Sequence, residues 1–385
     1  MSERAFDVVV YGATGFTGQL VAEYMAKKGE VAPERWALAG RNTSKLEAVK
    51  DGIAKIDERL ASIAIVQASA DDPASLRAMA AKTKVVLTTV GPFIRYGEPL
   101  VEACVAEGTH YVDITGEPEF VANIEQRFGE EAKAKKLKIV SCCGFDSIPH
   151  DLGVLYTVEQ LAPFESIEIC GYVWASGNFS GGTWNSAVDA FERMRDQPKA
   201  QHEAPVGDRK VGSVKKNVHR VDSMKRWAAP MPTIDPQIVK KSARRLERYG
   251  ESFRYGHYVT VRSLPTLVGL GAAVGGAVAV AQVGPGAKLL RKLKSPGEGP
   301  TPEERAKARF SVTFEAVADG KKLRTRVSGG DPGYDETAKM IAESAACIAF
   351  DDTPEGYGVT TTAHAMGQPL IDRLVAAGMV FETLT

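Results

Sequence analysis

The run Gly12-Ala13-Thr14-Gly15-Phe16-Thr17-Gly18 is the stretch of this chain best suited to holding a phosphate. Glycines spaced GxxGxxG let a backbone turn tightly and come close to an anion. The N–H groups of a following helix start then bind its oxygens, helped by the helix dipole. An apolar stretch, 6–11, precedes the run and a helical pattern, 19–28, follows it. That context predicts the pyrophosphate cradle of a dinucleotide rather than a merely structural turn. A carboxylate usually ends the second strand where the ribose is unphosphorylated. This chain has Gly40-Arg41-Asn42 there, with Lys45 close behind. A guanidinium suits a 2′-phosphate, so the residues point to NADP(H); Arg41 stacking on adenine is the alternative. Asp71 follows the third strand and is placed for the adenine amino group. Gly91-Pro92-Phe93 ends the fourth, where Gly91 lets the backbone pass the nicotinamide ribose and Phe93 and Tyr96 can wall the ring.

These groups need a scaffold. Strands are expected at 6–11, 36–39, 63–68, 85–90, 110–113 and 138–141. Helices are expected at 19–28, 44–60, 73–82, 98–107 and 119–135. The alternation predicts an α/β, Rossmann-type, doubly wound parallel sheet. After about residue 150 the rhythm changes. Strands at 166–174, 258–263, 310–318 and 322–328 predict a second, α+β domain on a mixed or antiparallel sheet. Further helices are expected at 333–350 and 368–378, and a flexible loop at 295–302. The domain plan is 1–150 for the dinucleotide, 151–350 for substrate and dimer contacts, and 351–385 packing back on the first domain.

Composition narrows the class. The chain has 385 residues and 41.3 kDa, with 44% hydrophobic and 25% charged residues. Those proportions exclude a disordered chain, a collagen and a polytopic membrane protein. Five cysteines without regular spacing exclude a disulfide scaffold, and no Cys/His cluster has zinc-ligand spacing, so no metal is expected. The first strand begins so early that no signal peptide is expected, and a reducing cytoplasm is the expected location.

Charges balance overall at 48 against 48, but residues 207–309 carry 21 Lys+Arg and 8 Asp+Glu. Inside that basic region, 263–287 has no charge and is rich in Gly and Ala. It is long enough to cross a bilayer, and Gly271 and Gly275 have the spacing that lets helices approach. A segment lying on a membrane, a lipid-tunnel lining and a buried core helix are the alternatives. Basic residues through 294 suit anionic headgroups or an acidic partner. Aromatics are not interleaved with them, so no nucleic acid is expected.

Further motifs appear in order. They are Tyr111-Val112-Asp113-Ile114-Thr115-Gly116-Glu117, Cys143-Gly144-Phe145-Asp146-Ser147-Ile148-Pro149-His150, Ser180-Gly181-Gly182-Thr183 and Gly330-Asp331-Pro332-Gly333-Tyr334. With the glycine run, they make the chain resemble the saccharopine dehydrogenase-like oxidoreductases, and within them the trans-acting enoyl reductases. The resemblance spans nearly the whole chain; at His150 the family usually has Ser. It implies a Rossmann domain, an inserted α/β domain and an NADP-linked reduction of a lipid or polyketide acyl chain.

An enoyl reduction needs a hydride at the β-carbon, a stabilised enolate and a proton at the α-carbon. Tyr96, Asp146 and Ser147 are the candidates, with Asp113, Glu117, His150 and Thr183 nearby in the pattern. Each has a plainer role. Asp146 and Ser147 suit the cap of a helix starting near Pro149, Tyr96 a structural phenol, His150 a satisfied first-turn residue. Cys142 and Cys143 suit small buried packing. No Ser-His-Asp order stands out, which argues against a hydrolase. The expected substrate is an acyl or lipid molecule, possible on an acidic carrier protein, with peripheral membrane contact through 263–294. A C–N bond dehydrogenase using Arg193 and Arg195 is one alternative. A non-catalytic lipid-associated NADP-binding protein is another.

Overall fold

The computed structural model describes residues 4–177, 188, 209–283, 286–291 and 299–384. The chain divides into two compact units: Met1–Ile148 with Tyr334–Ala377, and Pro149–Gly333 with Gly378–Thr385. The expected plan differs at two points. The return to the first unit comes at Tyr334, not at 351. The final strand joins the second unit's sheet and not the first domain.

The first unit is built on seven strands. They are β1 (Phe6–Tyr11), β2 (Trp36–Gly40), β3 (Ala64–Gln67), β4 (Thr83–Thr88), β5 (His110–Asp113), β6 (Lys138–Val140) and β14 (Gly358–Thr360). Their order is β14-β6-β5-β4-β1-β2-β3, and all pairs are parallel. β1 lies between β2 and β4, so the order reverses beside it. Crevices for dinucleotides open beyond the carboxyl ends of strands at such a point. Val8, Val9 and Val10 are fully buried, as a central parallel strand covered on both faces requires.

Helices α1 (Phe16–Lys28), α2 (Thr43–Ala54), α3 (Pro73–Ala80), α4 (Phe93–Glu107) and α5 (Pro118–Ala134) join these strands. Two depart from expectation. The pattern over 44–60 breaks into α2 and a short 3₁₀ turn, Glu58–Ser62, where Asp57 accepts the Arg59 N–H at 3.1 Å. α4 begins at Phe93, five residues early, because the Glu117 carboxylate accepts the N–H groups of Phe93 and Ile94.

In the second unit, α6 (Ile148–Leu161) leads to β7 (Ser166–Ala175), β8 (Lys210–Ser213), β9 (His219–Val221), β10 (Arg226–Pro230), β11 (Ser252–Val261), β12 (Phe310–Ala318), β13 (Lys321–Gly329) and β15 (Val380–Leu384). The sheet runs β15-β13-β12-β7-β11-β10-β9, with β8 on β11. β11 is parallel to β7 and β8, and the other pairs are antiparallel, so the sheet is mixed. Asp319-Gly320 closes the β12–β13 hairpin with φ of +45° and +84°, the twist a two-residue turn needs. α6 packs on this sheet through Gly153, where a Cβ would stand 2.4 Å from Phe314 Cε2. Short β8, β9 and β10 escaped the sequence pattern. Three to five residues give too few alternations to register as a strand.

Helices α7 (Asp235–Arg245), α8 (Leu264–Ala281), α9 (Gly286–Arg291) and α10 (Pro302–Lys307) complete the second unit. α11 (Asp335–Phe350), α12 (Thr362–Ala365) and α13 (Gly367–Ala376) complete the first. Ser180 to Thr183, Arg193, Arg195 and the first half of the loop expected at 295–302 lie outside the described residues.

Candidate functional site

The glycine run sits where β1 gives way to α1. Gly12 has φ +93°, and a Cβ there would fall 2.6 Å from Val90 Cγ2. The Thr89 hydroxyl donates to the Gly12 carbonyl at 3.3 Å, so the ends of β1 and β4 are stitched together at the crevice. A Cβ on Gly18 would lie 2.1 Å from the Gly12 carbonyl oxygen, which fixes α1 tight against the turn. Gly15 occupies the N-cap and brings no side chain to bond the first-turn N–H groups, and no acidic residue lies in that turn. The helix start is thus left uncapped by side chains, with the dipole favouring an anion. Thr14 and Thr17 are half-buried in the same turn, Ala13 is buried, and the Phe16 ring packs edge-on against Tyr334 at 5.1 Å.

Beyond β2, Arg41 is exposed and has no ion pair among the described residues. Asn42 has a structural duty: its Oδ1 accepts the Lys45 N–H at 3.0 Å and caps α2. Asp71 is exposed beyond β3. Burial raises the Tyr11 phenol, while the Arg41 charge lowers it and the Asp71 charge raises it, so both charges reach the end of β1.

Beyond β4, Gly91-Pro92 forms the turn into α4. Glu117 accepts the N–H groups of Phe93 and Ile94 at 2.9 and 3.0 Å. Phe93 is buried, its ring 5.8 Å from that of Phe120. The same ring lies beside Gly91, where a Cβ would stand 3.5 Å from Phe93 Cε2, so it packs both on the α4–α5 core and on the turn expected to meet the nicotinamide ribose. Tyr96, one turn on, is exposed, and its hydroxyl makes no hydrogen bond among the described residues.

Beyond β5 and β6 lies a polar knot. Asp113 is fully buried; Oδ1 accepts the N–H groups of Thr115 and Cys142 at 2.9 and 3.1 Å, and Oδ2 accepts from Ser141 Oγ at 2.9 Å. Burial nevertheless pushes its carboxyl up to about 6. The Asp146 carboxylate lies beside Gly116, 3.2 Å from where a Cβ would be. Ser147 precedes α6, but its Oγ is buried and caps nothing among the described residues, so its expected helix-cap role does not hold for the side chain. Cys142 and Cys143 are buried thiols. Thr337 of α11 accepts the Phe145 N–H at 3.1 Å, tying this loop to the returning segment. Sequence reasoning missed Thr337, Thr89 and the capping role of Glu117. The Gly330–Tyr334 motif was the available signal for the first, since it announces α11.

A second cluster belongs to the other unit. His150 Nδ1 faces Asp235 Oδ1 at 3.1 Å, and His257 Nε2 faces Oδ2 at 3.4 Å, all essentially buried. The Tyr255 hydroxyl lies 3.1 Å from His257 Nδ1, and Thr233 donates to Asp235. Burial would raise the Asp235 carboxyl, but the two imidazoles hold it well below its usual range. This bridge joins α6, α7 and β11. The wide separation of its members in sequence hid it.

The sequence compared with known proteins agrees with this architecture. Residues 8–140 match the model of the saccharopine dehydrogenase NADP binding domain. A Mycobacterium tuberculosis protein named provisionally as a trans-acting enoyl reductase is 34% identical, over 99% of this chain and 98% of its own. The chain belongs to the saccharopine dehydrogenase-like oxidoreductases. A trans-acting enoyl reductase of Mycobacterium bovis is 33% identical over 99% of this chain and 98% of its own. A Bos taurus saccharopine dehydrogenase-like oxidoreductase is 32% identical over 100% and 98%. The saccharopine dehydrogenase of Saccharomyces cerevisiae shares the fold, with a TM-score of 0.58 at 12% identity, covering 99% of this chain and 100% of that one. This member of the family is thus an NADP-dependent oxidoreductase, and the cradle is where its dinucleotide-binding domain leaves a helix start open.

Proposed function

We propose that this oxidoreductase is a trans-acting enoyl reductase that saturates a carbon–carbon double bond of an acyl or polyketide lipid precursor with NADPH. The observation that carries the reading is the full-length likeness to relatives bearing that name. The geometry supports it: the start of α1, uncapped by side chains, fits a pyrophosphate, and Arg41, which has no ion pair among the described residues, fits a 2′-phosphate. In this reading Gly12 to Gly18 hold the pyrophosphate through backbone N–H groups, Arg41 binds the 2′-phosphate, and Asn42 holds the α2 start beside it. Asp71 receives the adenine amino group. Gly91 and Pro92 shape the turn next to the nicotinamide ribose.

Bound NADPH supplies a hydride. The chain must orient the acyl group and deliver a proton. Tyr96 is the donor with a free hydroxyl, and Asp146 is the acid beside Gly116. The Ser147 N–H donates to the Cys142 carbonyl at 2.8 Å and so holds the loop that presents Asp146. An acidic carrier protein would deliver the chain.

The test is NADPH oxidation by the purified protein with an enoyl thioester, against a 2-oxo acid plus an amine donor. Turnover of the thioester alone supports the reading. Turnover of the 2-oxo acid alone would move the protein to C–N bond chemistry, as the name of its yeast structural neighbour suggests. Tyr96→Phe should lower kcat about a hundredfold to ten-thousandfold with KM for NADPH unchanged.

A further inference from the structure

α8 is an apolar helix standing in the open. Among its residues only Leu267 and Ala281 are buried, and it carries no charged side chain. Val268 is 64% exposed, Leu270 44%, Val274 46% and Val280 41%. At about 100° per residue those four positions are spread around the helix rather than along one stripe. Such a helix is stable only when surrounded by apolar material. A Cβ added at Gly269, Gly271, Gly275 or Gly276 would meet nothing within 4 Å, so these glycines serve no close packing among the described residues. The core reading of 263–287 therefore fails. A second copy of the chain would cover one face and leave the others wet.

Charge and topology narrow the occupant further. Arg262 precedes the helix and Lys288 follows it, both exposed, inside a region with a large basic excess. The helix is about 27 Å long at ~1.5 Å per residue, close to the ~30 Å of a hydrocarbon core. It nevertheless cannot carry the chain across. β11 leads into α8 and β12 follows it, and both pair with β7 in one sheet. A crossing would need an apolar return, and the sequence between them holds Lys288, Arg291, Lys292 and Lys294.

We propose that α8, with Arg262 and Lys288 flanking it, is a monotopic membrane anchor. α8 sinks into one leaflet, and Arg262 and Lys288 rest on anionic headgroups. This inference stands independently of the acyl substrate.

The experiment is flotation of the full-length protein with phosphatidylcholine vesicles and with vesicles containing 30 mol% phosphatidylglycerol, a composition chosen to place roughly physiological negative charge on the surface. The protein should float with both, and several-fold more with the anionic ones. Val268→Asp with Val274→Asp should abolish flotation while NADPH binding stays intact, which shows the fold survives. Arg262→Gln and Lys288→Gln should each weaken binding to anionic vesicles roughly fivefold and leave neutral vesicles unchanged. No flotation on either vesicle overturns the proposal. So does a vesicle-free oligomer, seen by light scattering, that the double aspartate variant dissolves, since the occupant would then be a second copy.

Discussion

Glu117 holds the start of α4 through the backbone of Phe93. Its two oxygens accept the N–H groups of Phe93 and Ile94, and Glu117 itself stands immediately before α5. One carboxylate thus ties the end of β5 to the turn beyond β4. Glu117→Ala should cost about 1–2 kcal/mol and shift the urea midpoint down. Glu117→Gln keeps one acceptor and turns an amide NH₂ toward the other N–H, so its loss should be intermediate. A Glu117→Ala midpoint equal to wild type would show that the cap contributes nothing.

The glycines of the cradle separate into two kinds. Gly18 would push a Cβ into the backbone oxygen of Gly12, and backbone cannot step aside cheaply. Gly18→Ala should therefore lower stability by about 1–3 kcal/mol, as overpacking does. Gly15 has φ −77°, which any residue adopts, and its Cβ would meet only the Gly12 oxygen at 3.4 Å. Gly15→Ala should stay within about 0.5 kcal/mol of wild type yet bind NADPH about tenfold more weakly, because the pyrophosphate needs that space. Thermal unfolding and calorimetric titration of both variants measure the two effects. Equal NADPH affinity in Gly15→Ala would remove the phosphate from this turn.

The strand–helix alternation and the glycine run were legible because a buried parallel strand and a tight turn leave local marks. Val8 to Val10 and Gly12 need no distant partner to be recognised. The packing of Phe93 on Phe120 was not legible, because Phe120 lies one helix away and nothing local says which way a ring after Gly-Pro will turn. Asp113 and His150 were visible in the pattern but their partners were not, and Asp235 and His257 escaped altogether, for the same reason: their surroundings come from segments far apart in the chain. The uncharged span at 263–287 was visible at once. Its exposure was not, because composition cannot distinguish a buried helix from an exposed one.

Arg41 offers a clean measurement. It is exposed and unpaired among the described residues, so removing it should leave stability within about 0.5 kcal/mol. A charge-assisted bond to a 2′-phosphate is lost in Arg41→Ala, which should weaken NADPH binding about tenfold to a hundredfold. NADH binding should barely change. Competitive titration of both dinucleotides checks this. A uniform loss for the two would reassign Arg41 to stacking on adenine.

His110 and Asp113, both on β5, set opposed pH responses. Burial holds the His110 imidazole down to about 4, with Lys138 and Arg4 adding to it. The unfolded chain takes up that proton near pH 6.5, so His110 removes stability as pH falls from about 6.5 toward 4. Burial raises Asp113 to about 6. Its unfolded carboxyl ionises near 3.9, so the folded state holds the extra proton between those values, and stability is lost as pH rises through them. At about 1.36 kcal/mol per unit the Asp113 contribution is at most roughly 3 kcal/mol. The two slopes largely cancel between pH 4 and 6. Asp113→Asn keeps the acceptor for the Thr115 and Cys142 N–H groups and lets its amide donate to Ser141. It should gain on wild type steadily as pH rises through that window. His110→Gln keeps an acceptor for the Lys138 N–H, bonded at 3.0 Å. It should be relatively stabilised as pH falls. Urea titrations at pH 4, 5, 6 and 7 resolve both trends, and parallel profiles for wild type and Asp113→Asn would show that this carboxyl titrates as it does in the unfolded chain.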